Sequence, residues 1–148
     1  MIMKKVFAMF SVSIVLALFT ACSSSNTPKD GFSEFSIDGD LSWLEGTWEL
    51  TKWETNNHGT MQDDTAIYEY QLLIINGGTK DSELIEESKG RNDSTASQHS
   101  YTVEDYFMKN SHVKGHSHKV NQSKTLLLLS REYAFDEKVI FNYTFRKR

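Results

Sequence analysis

From Leu41 onward, apolar residues come in short stretches separated by polar clusters, and no long stretch repeats at helical spacing. The pattern predicts a mainly β domain. Val139, Phe141, Tyr143 and Phe145 alternate with Ile140, Asn142, Thr144 and Arg146, a period of two that places an apolar row on one face of a strand. Tyr68, Tyr70, Leu72 and Ile74 form a second such row beside Glu69 and Gln71. Tyr101, Val103 and Phe107 share one parity around Asp105 and predict a third half-exposed antiparallel strand. Leu126 to Leu129 is apolar on both parities, which suits a strand covered on both sides, although four residues also suit a helical turn.

Between these stretches stand Asn56-Asn57-His58-Gly59, Asn76-Gly77-Gly78, Lys89-Gly90-Arg91-Asn92-Asp93, Lys109-Asn110 and Phe135-Asp136-Glu137. Asn, Asp and Gly accept the positive φ that tight connections need, so these are turns. Seven or eight strands follow, without a solenoid or propeller repeat, and many short strands at regular spacing favour a small barrel or sandwich. Closure into a barrel would remove the sheet edges.

The first forty residues break this pattern. Lys4 and Lys5 precede an uncharged run of apolar and small residues from Val6 to Thr20, then Ala21 and Cys22. This is the layout of a signal peptide, and the run is shorter than the roughly 20 residues that a helix needs to span a bilayer. The segment Leu18-Phe19-Thr20-Ala21-Cys22 resembles the bacterial lipobox, with Phe19 where that motif prefers leucine. The resemblance implies that residues 1–21 are removed and that Cys22 is diacylated and often N-acylated. Two or three acyl chains, at about 0.8 kcal/mol per buried methylene, make membrane attachment effectively permanent. Ser23 stands where an aspartate would resemble an inner-membrane retention signal, so the expected location is the outer membrane.

Residues 22–40 are rich in Ser, Asp and Gly and contain the sole proline, Pro28, so they read as a flexible tether of roughly 20–25 Å. Phe32, Phe35 and Ile37 are apolar positions within it, and a short N-terminal arm packed on the domain is the alternative reading.

Composition narrows the class. The chain has 148 residues, 39% of them hydrophobic, 12% aromatic and 24% charged, a profile that fits one globular domain. Removing 21 residues leaves 127, enough to bury roughly two-thirds of the unfolded surface. Losing Lys4 and Lys5 takes the net charge from −4 to −6, and no Lys/Arg block points to nucleic acid. Cys22 is the only cysteine, so no intramolecular disulfide forms and stability rests on packing.

The domain opens with Leu41-Ser42-Trp43-Leu44-Glu45-Gly46-Thr47-Trp48-Glu49-Leu50. This resembles the first strand of lipocalin-like proteins, in which a glycine and a tryptophan two residues later enter the barrel together. Gly46 lets the chain bend into the sheet, Trp48 and Leu50 then share a face, and Trp53 falls on the other parity. The resemblance covers about ten residues. It implies an antiparallel up-and-down barrel of about eight strands over residues 41–148, holding a small hydrophobic ligand among interior side chains: Trp48, Leu50, Tyr68, Tyr70, Phe141 and Tyr143. A barrel filled by its own side chains would instead act through its surface, as an envelope inhibitor or assembly partner.

Two further groups carry possible chemistry. His112, His116 and His118 share one parity, and imidazoles so placed can bind zinc, copper or nickel. Gly115 can break the strand, no cysteine or nearby carboxylate completes the set, and Lys114 and Lys119 oppose added positive charge, so solvated or pH-sensitive histidines are the preferred reading. The carboxylate pairs Asp63-Asp64, Glu86-Glu87 and Glu104-Asp105 read as solvated charges, because strand neighbours face opposite ways. No Gly-x-Ser-x-Gly elbow, phosphate loop or paired zinc motif is present, so the chain is expected to be a non-enzymatic binder without a cofactor.

Overall fold

The computed structural model describes residues 31–109 and 113–148. The expected signal segment, Cys22 and the start of the tether lie outside the described residues. The rest is mainly β, as the alternation predicts. The strands are β1 (Phe32–Glu34), β2 (Gly46–Asn57), β3 (Thr60–Asp63), β4 (Tyr68–Asn76), β5 (Glu83–Gly90), β6 (Ser97–Thr102), β7 (Val113–Asn121), β8 (Leu126–Tyr133) and β9 (Asp136–Lys147), with an α-helix, α1 (Val103–Met108), between β6 and β7 and short 3-10 turns at Ser42–Leu44 and Thr65–Ile67. All pair antiparallel in one sheet, ordered β1-β7-β8-β9-β2-β4-β5-β6, with β3 joined to β2 as a side hairpin.

The sheet is not closed, which corrects the expected barrel: β1 and β6 end it without pairing to each other. The reason is α1, predicted as part of a strand. Val103, Tyr106 and Phe107 are buried, and their spacing of three and four is that of one helix face. Thr102 caps the helix, its Oγ1 accepting from the Asp105 amide at 3.0 Å, and Glu104 and Asp105 sit in the first turn, where negative charge is favoured. The helix touches β5 and β6 on one side and β7 on the other. It fills the place that strand pairing would occupy in a barrel.

The arm reading holds for residues 32–37, not the free tether. β1 pairs with β7, Phe35 packs edge-on against Trp43 and Phe107, and Ile37 is buried. The predicted turn at 56–59 is also present. Asn57 pairs with Thr60, and His58 and Gly59 both have positive φ, 52° and 88°, as a two-residue hairpin matched to strand twist requires.

Two β-bulges set which side chains face the concave, α1-covered side. In β2, Leu50 opposes Phe145 while Lys52 opposes Thr144, so Thr51 is an extra residue. The slip returns Trp53 to the face of Trp48 and Leu50, against the parity expected from the sequence. In β4, Tyr68 opposes Gly90 and Tyr70 opposes Lys89, which makes Glu69 the extra residue. The expected row of Tyr68, Tyr70, Leu72 and Ile74 is therefore split. Gln71, Leu73 and Ile75 are the buried positions, Tyr68 joins them through the bulge, and Tyr70, Leu72 and Ile74 lie on the convex side.

The core gathers at one end of the concave face around Trp48, Leu73, Leu84, Phe107, Leu127 and Phe145, all essentially inaccessible to solvent. Each such side chain contributes roughly 1.5–3 kcal/mol on burial. Gly46, with φ of 122°, starts β2 beside this core, where Lys147 lies over the Trp48 ring at 5.4 Å and donates to the Trp43 carbonyl at 2.6 Å.

Candidate functional site

At its other end the concave face is aromatic and polar and only half-buried. Trp53 lies between two tyrosines, stacked on Tyr68 at 5.7 Å and on Tyr143 at 5.6 Å, with ring planes 25° and 26° apart. The turn after β3 holds it there. The Trp53 amide donates to Thr65 Oγ1 at 2.8 Å, and its carbonyl accepts from the Asp64 amide at 2.9 Å. Asp64 is itself buried and fixed by Thr55 at 2.5 Å and Gln62 at 2.6 Å. All three rings are half-buried, and the Trp53 indole N–H is shielded from solvent without an acceptor.

Arg131 lies next to this stack. It follows Leu127 and Leu129 on the same parity of β8, opposite Phe141 of β9 and His116 of β7. Its guanidinium sits over the Tyr106 ring at 4.6 Å and 5.9 Å from the Tyr143 ring, and Nη2 donates to the Tyr106 carbonyl at 3.0 Å. Burial pushes the Tyr143 phenol up to about 12 against the opposing pull of the Arg131 charge. Burial pushes the Tyr106 phenol up further still. Both phenols therefore stay protonated at neutral pH.

Across the face, Glu86 pairs in register with Leu73, and its Oε1 accepts from the Gln71 amide. Glu86 and Arg131 form no ion pair. His116 and His118 also face inward, each with a buried Nδ1 that has no partner. Burial lowers both pKa values; Arg131 adds to the effect at His116, while the Phe35 backbone and Glu34 oppose it at His118. The His118 ring is packed at 4.6 Å from Phe35 and 5.8 Å from Phe107.

Of the residues expected to line a barrel interior, Tyr68, Phe141 and Tyr143 do border this open end. Trp48 is sealed in the core, its indole N–H donating to the Leu44 carbonyl at 2.8 Å, and Leu50 packs against the same cluster. Tyr70 is on the convex face, where its hydroxyl donates to Glu87 at 2.9 Å. His112 lies outside the described residues, and the bulge at Gly115 between Val113 and His116 breaks the parity that would have aligned the three histidines. Among the described residues, no three His, Cys, Asp or Glu side chains gather as a metal site. Glu104 and Asp105 stand on α1 rather than on a strand, and both lie near Lys109.

Trp53 was hidden from sequence reasoning by the β2 bulge. Arg131 carried a signal, since the alternation of Leu127 and Leu129 runs directly onto it. A groove of about 280 Å³ against β7, β8 and β9 shares His116 and Arg131 with this region and is otherwise bordered by Gly115, Ser117, Ser130, Glu132 and Ile140. No protein-family model, curated protein or solved structure matches the chain.

Proposed function

We propose that the protein is a lipid-anchored cell-envelope protein, held at the outer membrane by acylated Cys22, which binds a small, largely apolar ligand at the open end of its concave face. The observation that carries the ligand reading is the half-exposed Trp53 stack with Tyr68 and Tyr143, whose indole N–H lacks an acceptor. Aromatic faces supply large apolar contact area with little entropy to lose, and a buried donor without a partner costs about 1–3 kcal/mol until one arrives. A binder fits this site better than an enzyme: a phenol at about 12 is far from the pH at which general acid–base groups work best.

The test uses the full chain in lipid nanodiscs, titrated with 2-naphthamide, an uncharged planar molecule, while tryptophan fluorescence is followed. Saturable quenching that disappears in Trp53→Leu supports the reading. Absence of quenching overturns it. The anchor is tested separately by fractionation: Cys22→Ser is expected to move the protein from the membrane to the soluble fraction.

A second reading, docking to an envelope protein, is favoured by Phe135. It is 77% exposed at the tip of the β8–β9 hairpin, away from the core. Cross-linking that is lost in Phe135→Ser while naphthamide binding is unchanged would identify it.

A further inference from the structure

We infer that the ligand of the open concave face carries one anionic group, a carboxylate or a phosphate ester, on a planar or otherwise apolar body, with Arg131 as its counter-charge. The inference rests on the binding reading above and adds the chemistry of the ligand.

Three observations lead there. The first is that Arg131 holds a permanent positive charge on a half-buried part of the face, yet among the described residues no carboxylate lies within ion-pair distance. A charge withdrawn from water is costly unless it is paired. The second is orientation. The guanidinium is held over the Tyr106 ring, donates to the Tyr106 carbonyl and interacts with the Tyr106 hydroxyl, which leaves the rest of its five donors for another partner. A fork fixed in this way suits bidentate recognition of a carboxylate or phosphate.

The third is proximity. Arg131 and Trp53 border the same Tyr143 ring, at 5.9 and 5.6 Å, so one molecule lying beside Tyr143 meets the guanidinium at one end and the edge of the aromatic stack at the other. An anion at one end and an apolar body at the other satisfies both.

The carboxylates whose charge acts on Tyr143 are Asp64, which is buried and held by Thr55 and Gln62, and Glu86, which faces the same side of the sheet. Its Oε1 is engaged by Gln71, which keeps it on the β4–β5 side of the face. His116, opposite Arg131 in register, has its pKa lowered and is neutral near pH 7.5, so it adds no competing charge there. At this end of the face, Arg131 is thus a cation without an ion pair among the described residues.

The experiment compares three probes of nearly the same shape on the full chain in nanodiscs at pH 7.5: 2-naphthoate, 2-naphthyl phosphate and the uncharged 2-naphthamide. Empty nanodiscs serve as the blank. At least one anion is expected to bind about tenfold more tightly than the amide, and the preferred anion identifies the source as a carboxylate or a phosphate. In Arg131→Gln the ratio of anion to amide affinity is expected to fall to about one. Arg131→Lys, which keeps the charge but loses the fork, should retain part of it.

Equal binding of all three probes by the unaltered protein overturns the anion inference and leaves the binding reading standing. Binding of none overturns both. An anion advantage that survives in a folded Arg131→Gln variant assigns the charge recognition elsewhere and also overturns the inference.

Discussion

The two ends of the concave face are built from the same strands and the same period-two alternation, yet they differ in kind. At the packed end, Trp48, Phe145 and Leu127 are joined by Phe107 of α1 and reach complete burial, and the one polar atom of Trp48 has an acceptor. At the open end, Trp53, Tyr143 and Arg131 occupy positions further along β2, β9 and β8, but they are only half-buried, the Trp53 indole N–H has no acceptor and Arg131 has no ion pair among the described residues. Interiors reach crystal-like density where complementary shapes meet, and each polar group left unmade there is costly. A face that meets this standard at one end and departs from it at the other has its stability concentrated at the first. The second carries less of it.

The largest effect that could break this division is at the packed end. Trp48→Ala removes a fully buried ring and leaves a cavity bounded by strands on both sides, so it is expected to cost about 3–5 kcal/mol in urea denaturation. A loss below about 1 kcal/mol would mean that the packed end does not carry the fold.

At the open end, Tyr68→Leu removes one stacking partner of Trp53 while keeping apolar bulk, and the expected cost is about 0.5–1.5 kcal/mol. A larger loss would show that the stack is structural and not set aside for a ligand.

The smallest effect comes from pH. His116 and His118 have folded pKa values below their ordinary 6.5, so the unfolded chain binds more protons below that pH. Their contribution is complete above about 6.5 and declines as pH falls toward the lowered folded values. The urea midpoint is therefore expected to drop modestly between pH 7.5 and 5.5, and the drop should shrink in a His116→Gln, His118→Gln double variant. An unchanged slope in that variant would separate the histidines from stability.

Several of these features were legible in the chain. The run from Val139 to Phe145 gave its strand and its inward face, because apolar and polar residues alternate there without interruption. The turn at Asn56 to Gly59 was readable from residues that tolerate positive φ. The β4 face was not, since Leu72, Leu73, Ile74 and Ile75 are apolar on both parities and pairing alone selects one. The helix at 103–108 was misread although Thr102 and Asp105 supply its cap, because three apolar residues over five positions fit a helix face nearly as well as a strand. Of the open site, Tyr68, Phe141 and Tyr143 were anticipated, while Trp53 and Arg131 were not.

Local alternation and turn chemistry by themselves determined that the domain is β-rich, where most of its reversals fall, and which residues of β9 turn inward, for these depend on neighbours in sequence. Tertiary structure alone decided the bulges at Thr51 and Glu69, the open sheet with α1 between its ends, and the meeting of Arg131 with the Trp53 stack. Each of these depends on which strand pairs with which and in what register, and a one-residue slip in that register exchanges the buried face of a strand for the exposed one.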